Sequence, residues 1–367
     1  MKEGWEYKKF EDALEKVKYT KKLQTNEFLS EGRVPIISQE EEYISGFWNN
    51  PEDAFKVEKP IVIFGDHSRV IKYVDFDFVL GADGVKILRP IESLNAKFLY
   101  HYLKWYNVPS MGYSRHFKFL KEINMPIPPM NVQQQIVSEL DLLSGVIEKQ
   151  KAQLEELDKL AQSIFYEMFG DPVTNEKGWE VKKIKDICKV ITGNTPSRNN
   201  LEYYNEEYIE WIKTDNILRD SLYPSLAKEY LSEEGAKQGR IADVGSILIA
   251  CIAGSLVSIS KCCLLNRKVS FNQQINALVP KEDMNSLFVY SLVNAIADYI
   301  RENTTNGMKH IITKSVLEEI RICVPPLSLQ QEFAAKVEAI EAMKAKVRLS
   351  LKEAETLFNE RMDYYFN

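Results

Sequence analysis

Residues 131–169 read NVQQQIVSELDLLSGVIEKQKAQLEELDKLAQSIFYEMF, one residue after the pair Pro128-Pro129. Apolar residues recur along the stretch in alternating steps of four and three: Ile136, Leu140, Leu143, Ile147, Leu154, Leu157, Ala161, Ile164 and Met168, with Gln150 the polar interruption. A repeat of 3.5 residues keeps one stripe turned toward a partner helix, so the stretch predicts one long helix of a coiled coil. The preceding prolines stiffen its approach. Asn131 is the expected N-cap, with Gln134 three residues on as its capping-box partner.

The chain writes this pattern twice. Residues 328–366 read SLQQEFAAKVEAIEAMKAKVRLSLKEAETLFNERMDYYF after Pro325-Pro326. At an offset of 197 the seam becomes Phe333, Val337, Ile340, Lys344, Val347, Leu351, Ala354, Phe358, Arg361 and Tyr365. Ser328 and Gln331 stand where Asn131 and Gln134 stood. Upstream, Gly4-Trp5-Glu6-Tyr7-Lys8-Lys9 returns as Gly178-Trp179-Glu180-Val181-Lys182-Lys183 at offset 174, and Phe98-Leu99-Tyr100 as Phe288-Val289-Tyr290 at offset 190. The chain is therefore a duplication whose second copy gained about 16 and then about 7 residues, expected as loops.

Each copy holds a globular segment before its helix. In the first, residues 60–64 and 77–88 read as strands with a turn at 81–84, and 96–106 as a helix; in the second, 245–253 and 256–265 read as strands and 285–302 as the matching helix. Strands and helices do not alternate regularly, so the expected class is α+β: two repeated α/β domains separated by two long helices. The boundaries are 1–126, 127–170, 171–323 and 324–367. Thirty-nine residues make a rod of about 58 Å. With one domain at each end, the second helix must return antiparallel and the copies are related by a pseudo-two-fold axis.

Composition narrows the class. A chain of 367 residues, 45% hydrophobic and 27% charged, suits two soluble domains. No apolar run approaches a membrane span, and the first residues lack a signal-peptide core, so a cytoplasmic location is expected. Five cysteines, none in a C-x-x-C pair, read as reduced buried thiols, and four histidines lack metal-ligand spacing. Taken over the whole chain, the net charge of −6 argues against a nucleic-acid partner. Yet residues 1–126 carry 19 basic and 19 acidic side chains, whereas 127–170 carry 3 against 7. The acid excess lies mostly on the first long helix, which leaves basic faces open to the globular parts.

Catalytic motifs are missing. There is no phosphate-cradling G-x-x-x-x-G-K-[ST], no Gly-rich dinucleotide turn and no Asn-Pro-Pro-aromatic run. Glu180-Val181-Lys182 resembles half of a nuclease site, but its repeat Glu6-Tyr7-Lys8 points to a structural or surface role.

Two variable domains, each opened by G-W-E-x-K-K and each leading through P-P-h-x-x-Q-Q into a long helix, the first ending at Phe169-Gly170-Asp171-Pro172, resemble the specificity subunit (HsdS) of type I restriction-modification systems over essentially the whole chain. The resemblance implies two target-recognition domains, each reading half of a split double-stranded DNA site, and a non-catalytic subunit. It also implies two methyltransferase (HsdM) partners bearing S-adenosylmethionine. Where the system restricts, two restriction (HsdR) subunits using ATP and Mg2+ join them. The short first domain departs from the simplest family picture. The rival readings are a DNA reader serving a fused type II enzyme and a coiled-coil scaffold without DNA.

Within that resemblance, base and phosphate contacts call for cationic and amide side chains on loops. The expected set in the first domain is Arg69 and Lys72, beside Asp66-His67-Ser68, and Ser114, Arg115 and Lys118, beside Tyr113 and His116. In the second it is Asn194, Ser197 and Arg198, then Lys213 and Asn216, and Lys309 in the loop Asn306-Gly307-Met308-Lys309-His310. Asn272-Gln273-Gln274 and its counterpart Ala82-Asp83-Gly84 read as structural turns.

Overall fold

The computed structural model describes residues 2–81, 84–112, 114–219, 221–305 and 309–367. Ala82, Asp83, Tyr113, Asn306, Gly307 and Met308, named above, lie outside the described residues. The chain forms two compact units, Met1–Ala152 with Arg348–Asn367, and Gln153–Val347.

The first unit contains two four-stranded sheets. One is antiparallel, in the order Leu14–Glu15, Val85–Pro90, Ile61–Gly65, Ile71–Val74. The other is mixed, in the order Lys22–Leu23, Val79–Gly81, Val34–Ile37, Gly46–Trp48. The strand Ile61–Gly65 is buried at every position, which explains its unbroken run of apolar residues. Glu6–Lys9 pairs with Asn124–Ile127, so the G-W-E-x-K-K segment is tied to the strand that feeds the long helix.

The second unit repeats this plan. Cys188–Thr192, Ile275–Pro280, Ile247–Ala250 and Cys262–Leu264 form the antiparallel sheet. Tyr230–Leu231, Ile209–Ile212, Val269–Phe271 and Ile241–Ala242 form the mixed one. The outer strand beside Val269–Phe271 comes from sequence after the central strand Ile209–Ile212, whereas its counterpart Lys22–Leu23 comes from before Val34–Ile37. The extra length of the second copy here includes a short helix, Glu233–Gln238, as well as loop. Residues 256–258 form a 3-10 turn in place of the expected strand, which begins only at Cys262. The helix expected over 285–302 is two helices, Ser286–Ala295 and Ala297–Glu302, broken at Ile296. All five cysteines are free and buried.

The long helices run Met130–Phe169 and Leu327–Phe366. Every seam position read from the sequence is buried or half-buried. In the first unit Arg361 pairs with Glu139 and Lys151 with Glu355; in the second Lys344 pairs with Asp158 and Lys336 meets Met168. Numbers rise along one helix as they fall along the other, so the helices pack antiparallel. The polar seam residues are all engaged: Gln150 donates to Ser350 Oγ at 2.6 Å, and Lys344 reaches Asp158 and Glu341 at 2.6 Å each.

The helix starts correct the capping-box reading. Asn131 and Ser328 already lie inside the helices, and Gln134 and Gln331 are exposed. The neighbouring glutamines do the work. Gln133, fully buried, accepts from the Asn95 N–H and donates to the Ser93 and Pro128 carbonyls, all at 2.7 Å. Gln330 repeats this with Asn285 N–H and the Pro325 carbonyl, both at 2.9 Å. Asn95 and Asn285 are in turn the N-caps of the helices Ala96–Tyr106 and Ser286–Ala295. One amide thus fastens the end of a domain helix to the start of a long helix in each unit.

The far ends match as well. Lys2 caps the carbonyls of Tyr364 and Tyr365, and Lys177 those of Glu167 and Met168, placing a cation at each helix C-terminus. Phe366 packs on Phe98 with centroids 5.4 Å apart, and Phe169 on Phe288 at 5.0 Å.

Candidate nucleic-acid interface

In the second unit, residues 192–198 leave the end of strand Cys188–Thr192 and cross the edge of the mixed sheet. Gly193 lies against that sheet so closely that a Cβ would sit 2.1 Å from the Asn272 carbonyl oxygen. The residues beyond are fastened in turn. The Asn194 side chain donates to the Gln238 carbonyl and accepts from the Arg240 N–H, both at 2.7 Å. Thr195 Oγ1 donates to Gln273, and Tyr204 OH donates to the Pro196 carbonyl at 2.7 Å. Asn272 turns back on Gln274 through its own side chain, as expected of a structural turn.

This clamp ends in a cation cluster. The Arg198 guanidinium lies 4.5 Å from the Tyr204 ring centroid and 4.7 Å from that of Trp211, and Lys213 lies 5.1 Å from Trp211. Cations over aromatic faces are held by the ring quadrupole. Glu229 joins them: Arg198 Nη2 donates to Oε2 at 2.5 Å and Lys213 Nζ to Oε1. The lysine bond, and after it the arginine bond, hold the Glu229 carboxyl below its usual range. Trp211 stands on strand Ile209–Ile212, and Ser197 is exposed beside Arg198.

In the first unit the expected residues gather at a different place, a clasp between the turn after Ile61–Gly65 and the loop before Phe117. Asp66, 3% exposed, accepts the Phe117 N–H at 2.8 Å through its carboxylate. Its carbonyl accepts His116 N–H at 2.8 Å and lies 3.0 Å from His116 Nδ1. Arg115 and Lys118 are exposed on either side and form no ion pair with any described residue, while Ser114 lies 3.5 Å from His116 Nε2. The second unit ties its matching loop differently: His310–Ile311 pairs with Ile252–Ala253, and Ile312 N–H donates to the Cys251 carbonyl at 2.9 Å. Lys309 is exposed next to that pairing.

Other expected residues do not face solvent. Lys72 is 3% exposed, and its ammonium donates to the Ser38 and Glu42 carbonyls at 3.0 and 2.5 Å; burial pushes its pKa down. Its place in an alternating strand, Ile71–Val74, turns it inward. Asn216 is 6% exposed and satisfies the Ser225 hydroxyl, the Leu226 carbonyl and the Lys213 N–H. Lys72 and Asn216 are thus scaffold residues in this structure, a correction to the surface role expected of them. Arg69, half-buried with φ of 66°, donates to the Val108 carbonyl at 2.8 Å and braces the 66–70 turn. Asn194 is likewise the clamp and not the tip.

The sequence matches the family described as Type I restriction modification DNA specificity domain over residues 2–159 and again over 176–353. The chain belongs to that family. The specificity subunit of the Escherichia coli type I restriction enzyme EcoR124I/EcoR124II is 24% identical over 357 residues, spanning 90% of this chain and 85% of that subunit. Among solved structures, the S subunit of a type I restriction-modification system from M. genitalium superposes with a TM-score of 0.62 at 14% identity, covering 98% of this chain and 95% of that one. A chain from a study of complex assembly and conformational transition of the type I R-M system gives 0.58 at 17% identity, covering 100% and 98%. These likenesses show the same fold. As a family member the chain is a DNA specificity subunit, a non-catalytic component of a type I restriction-modification complex.

Sequence reading of this specificity subunit missed Tyr204, Trp211 and Glu229. Glu229 lies 31 residues from the arginine it holds, and only strand pairing closes that gap. Among the described residues, no helix is long and apolar enough to cross a membrane.

Proposed function

We propose that the two units read the two halves of a bipartite double-stranded DNA site, residues 1–126 one half and 171–323 the other, while residues 127–170 and 324–367 act as the spacer between them. The observation that carries this reading is one scaffold built twice with unlike tips. The sheets, the Gln133 and Gln330 locks and the lysine caps repeat, whereas the Arg198, Trp211 and Lys213 cluster of one unit is not repeated in the other, where buried Ile36 and Ser38 stand in place of Trp211 and Lys213. Constant frame with variable tips is what two independent readers on a common partner require. Arg115, Lys118, Ser114, Ser197, Arg198, Lys213 and Lys309 are the contacting side chains in this reading.

The partners are two methyltransferase subunits supplying S-adenosylmethionine for adenine methylation. Restriction subunits using ATP and Mg2+ join them where the system cleaves. Co-expression with the methyltransferase subunit, followed by mapping of methylated adenines, tests this. A two-part motif with an unspecified gap is expected, and a contiguous or absent motif overturns it. In the same complex, Arg115→Ala and Arg198→Ala weaken DNA binding without unfolding the chain. One heptad inserted into each long helix keeps the seam in register and lengthens the gap by about three base pairs, from about 10.5 Å of helix and about 3.4 Å per base pair. An unchanged gap refutes the spacer.

A further inference from the structure

We infer that Arg198 reads a guanine in the half-site of the second unit, with Glu229, Trp211 and Tyr204 acting as positioning residues that hold its guanidinium flat. The inference rests on the proposal that this unit reads DNA, and goes beyond it in assigning a base and a residue.

A phosphate hook and a base reader make different demands. A phosphate contact needs positive charge on a side chain free to follow the backbone. Here charge has been partly cancelled: Glu229 lies against both Arg198 and Lys213, so three ionised groups leave one net positive charge. Freedom has been removed as well, by two aromatic faces within 4.7 Å and a loop fastened at Asn194, Thr195 and Pro196. What remains is direction. Arg198 gives one of its five N–H groups to Glu229, its Nε and Nη1 donors have no hydrogen bond to any described residue, and its side chain is 49% exposed. A planar donor fork fixed in orientation matches the paired O6 and N7 acceptors of guanine in the major groove, the commonest specific arginine contact.

The first unit lacks this device. The parallel pairing of Trp211 with Ser270 matches that of Ile36 with Val79, so Ile36 takes the place of Trp211 and Ser38 that of Lys213. Both are buried there, and Ser38 is bonded to Ser45. A scaffold requirement would have kept the tryptophan and lysine in both copies. Their presence in one copy only fits a feature that distinguishes one half-site from the other.

The test uses the complex with the methyltransferase subunit and a set of duplexes substituted at every position of the motif. The wild-type complex is expected to require a G·C pair at one position of the second half-site. Arg198→Ala is expected to reduce discrimination at that position about 5- to 150-fold while leaving the other positions unchanged, as is Arg198→Lys, which keeps the charge but loses the fork. Glu229→Gln is expected to weaken the same discrimination while tightening binding to unrelated DNA. If Arg198→Ala weakens all duplexes equally and lowers the salt slope by about one, the residue is a phosphate contact and the inference falls. It also falls if Arg198→Ala leaves specificity intact or if the second half-site requires no guanine. A wild-type complex without any half-site preference overturns the bipartite reading itself.

Discussion

Gln133→Ala isolates the lock between domain and long helix. The side chain is fully buried and makes three hydrogen bonds of 2.7 Å, to one backbone N–H and two carbonyls. Alanine leaves all three groups without their partner. An orphaned buried N–H costs about 1–3 kcal/mol and each carbonyl, with a second lone pair to turn elsewhere, about 1 kcal/mol, so the substitution should cost about 3–5 kcal/mol. That is a large share of the roughly 5–15 kcal/mol by which a domain is stable. Gln330→Ala should cost less, about 2–4 kcal/mol, because Gln330 makes two such bonds and a long 3.8 Å contact to Met284 Sδ. The exposed neighbours provide the control: Gln134→Ala and Gln331→Ala should stay within about 0.5 kcal/mol. Urea unfolding followed by circular dichroism gives the free energies. Hydrogen exchange should locate them, with Ala96–Tyr106 losing protection in Gln133→Ala and Ser286–Ala295 in Gln330→Ala. A Gln134 substitution as costly as that of Gln133, or a Gln133→Ala cost below about 1 kcal/mol, would refute the reasoning.

Other parts of the molecule yield sharp expectations. Lys344 is 4% exposed in the helix seam between Asp158 and Glu341; since buried ion pairs are often worth no more than apolar packing, Lys344→Met should leave stability within about 1 kcal/mol or raise it, whereas Lys344→Ala should lower it in the same urea assay. Gly193→Ala places a methyl group 2.1 Å from the Asn272 carbonyl oxygen, and should destabilise the second unit by about 1–3 kcal/mol and blur its half-site in the methylation map. His101, 2% exposed with Nε2 2.9 Å from Asp141, has its pKa lowered by burial against the opposing pull of that carboxylate. The unfolded chain therefore takes up a proton that the folded unit refuses. Stability is full above the ordinary histidine pKa of about 6.5 and falls as pH drops through it toward the lowered folded value. Unfolding measured between about pH 7 and 5.5 should have a slope that disappears in His101→Gln.

Much of the architecture was legible because it is periodic or repeated. The 3.5-residue seam announces the long helices, since only a helix turns those side chains to one side, and the recurrence of the whole pattern at offset 197 announces two copies. The strand Ile61–Gly65 and the helix Ala96–Tyr106 followed from local pattern alone. What tertiary structure decided is which polar side chains are available. Arg198 and Lys72 look alike in sequence, each a cation near a strand end, yet one is half exposed over Trp211 and the other lies under Ser38 and Glu42. The locking glutamine is Gln133 and not Gln134, because the helix begins two residues earlier than its capping pattern suggests, and that start is set by Pro129, whose carbonyl accepts from Val132 and Gln133. Periodicity records the face a residue turns toward the core, and the sequence alone determined that much. Whether a charged or amide group finds a partner there depends on segments tens of residues away, brought close only by the pairing of strands, and that was for the tertiary structure to decide.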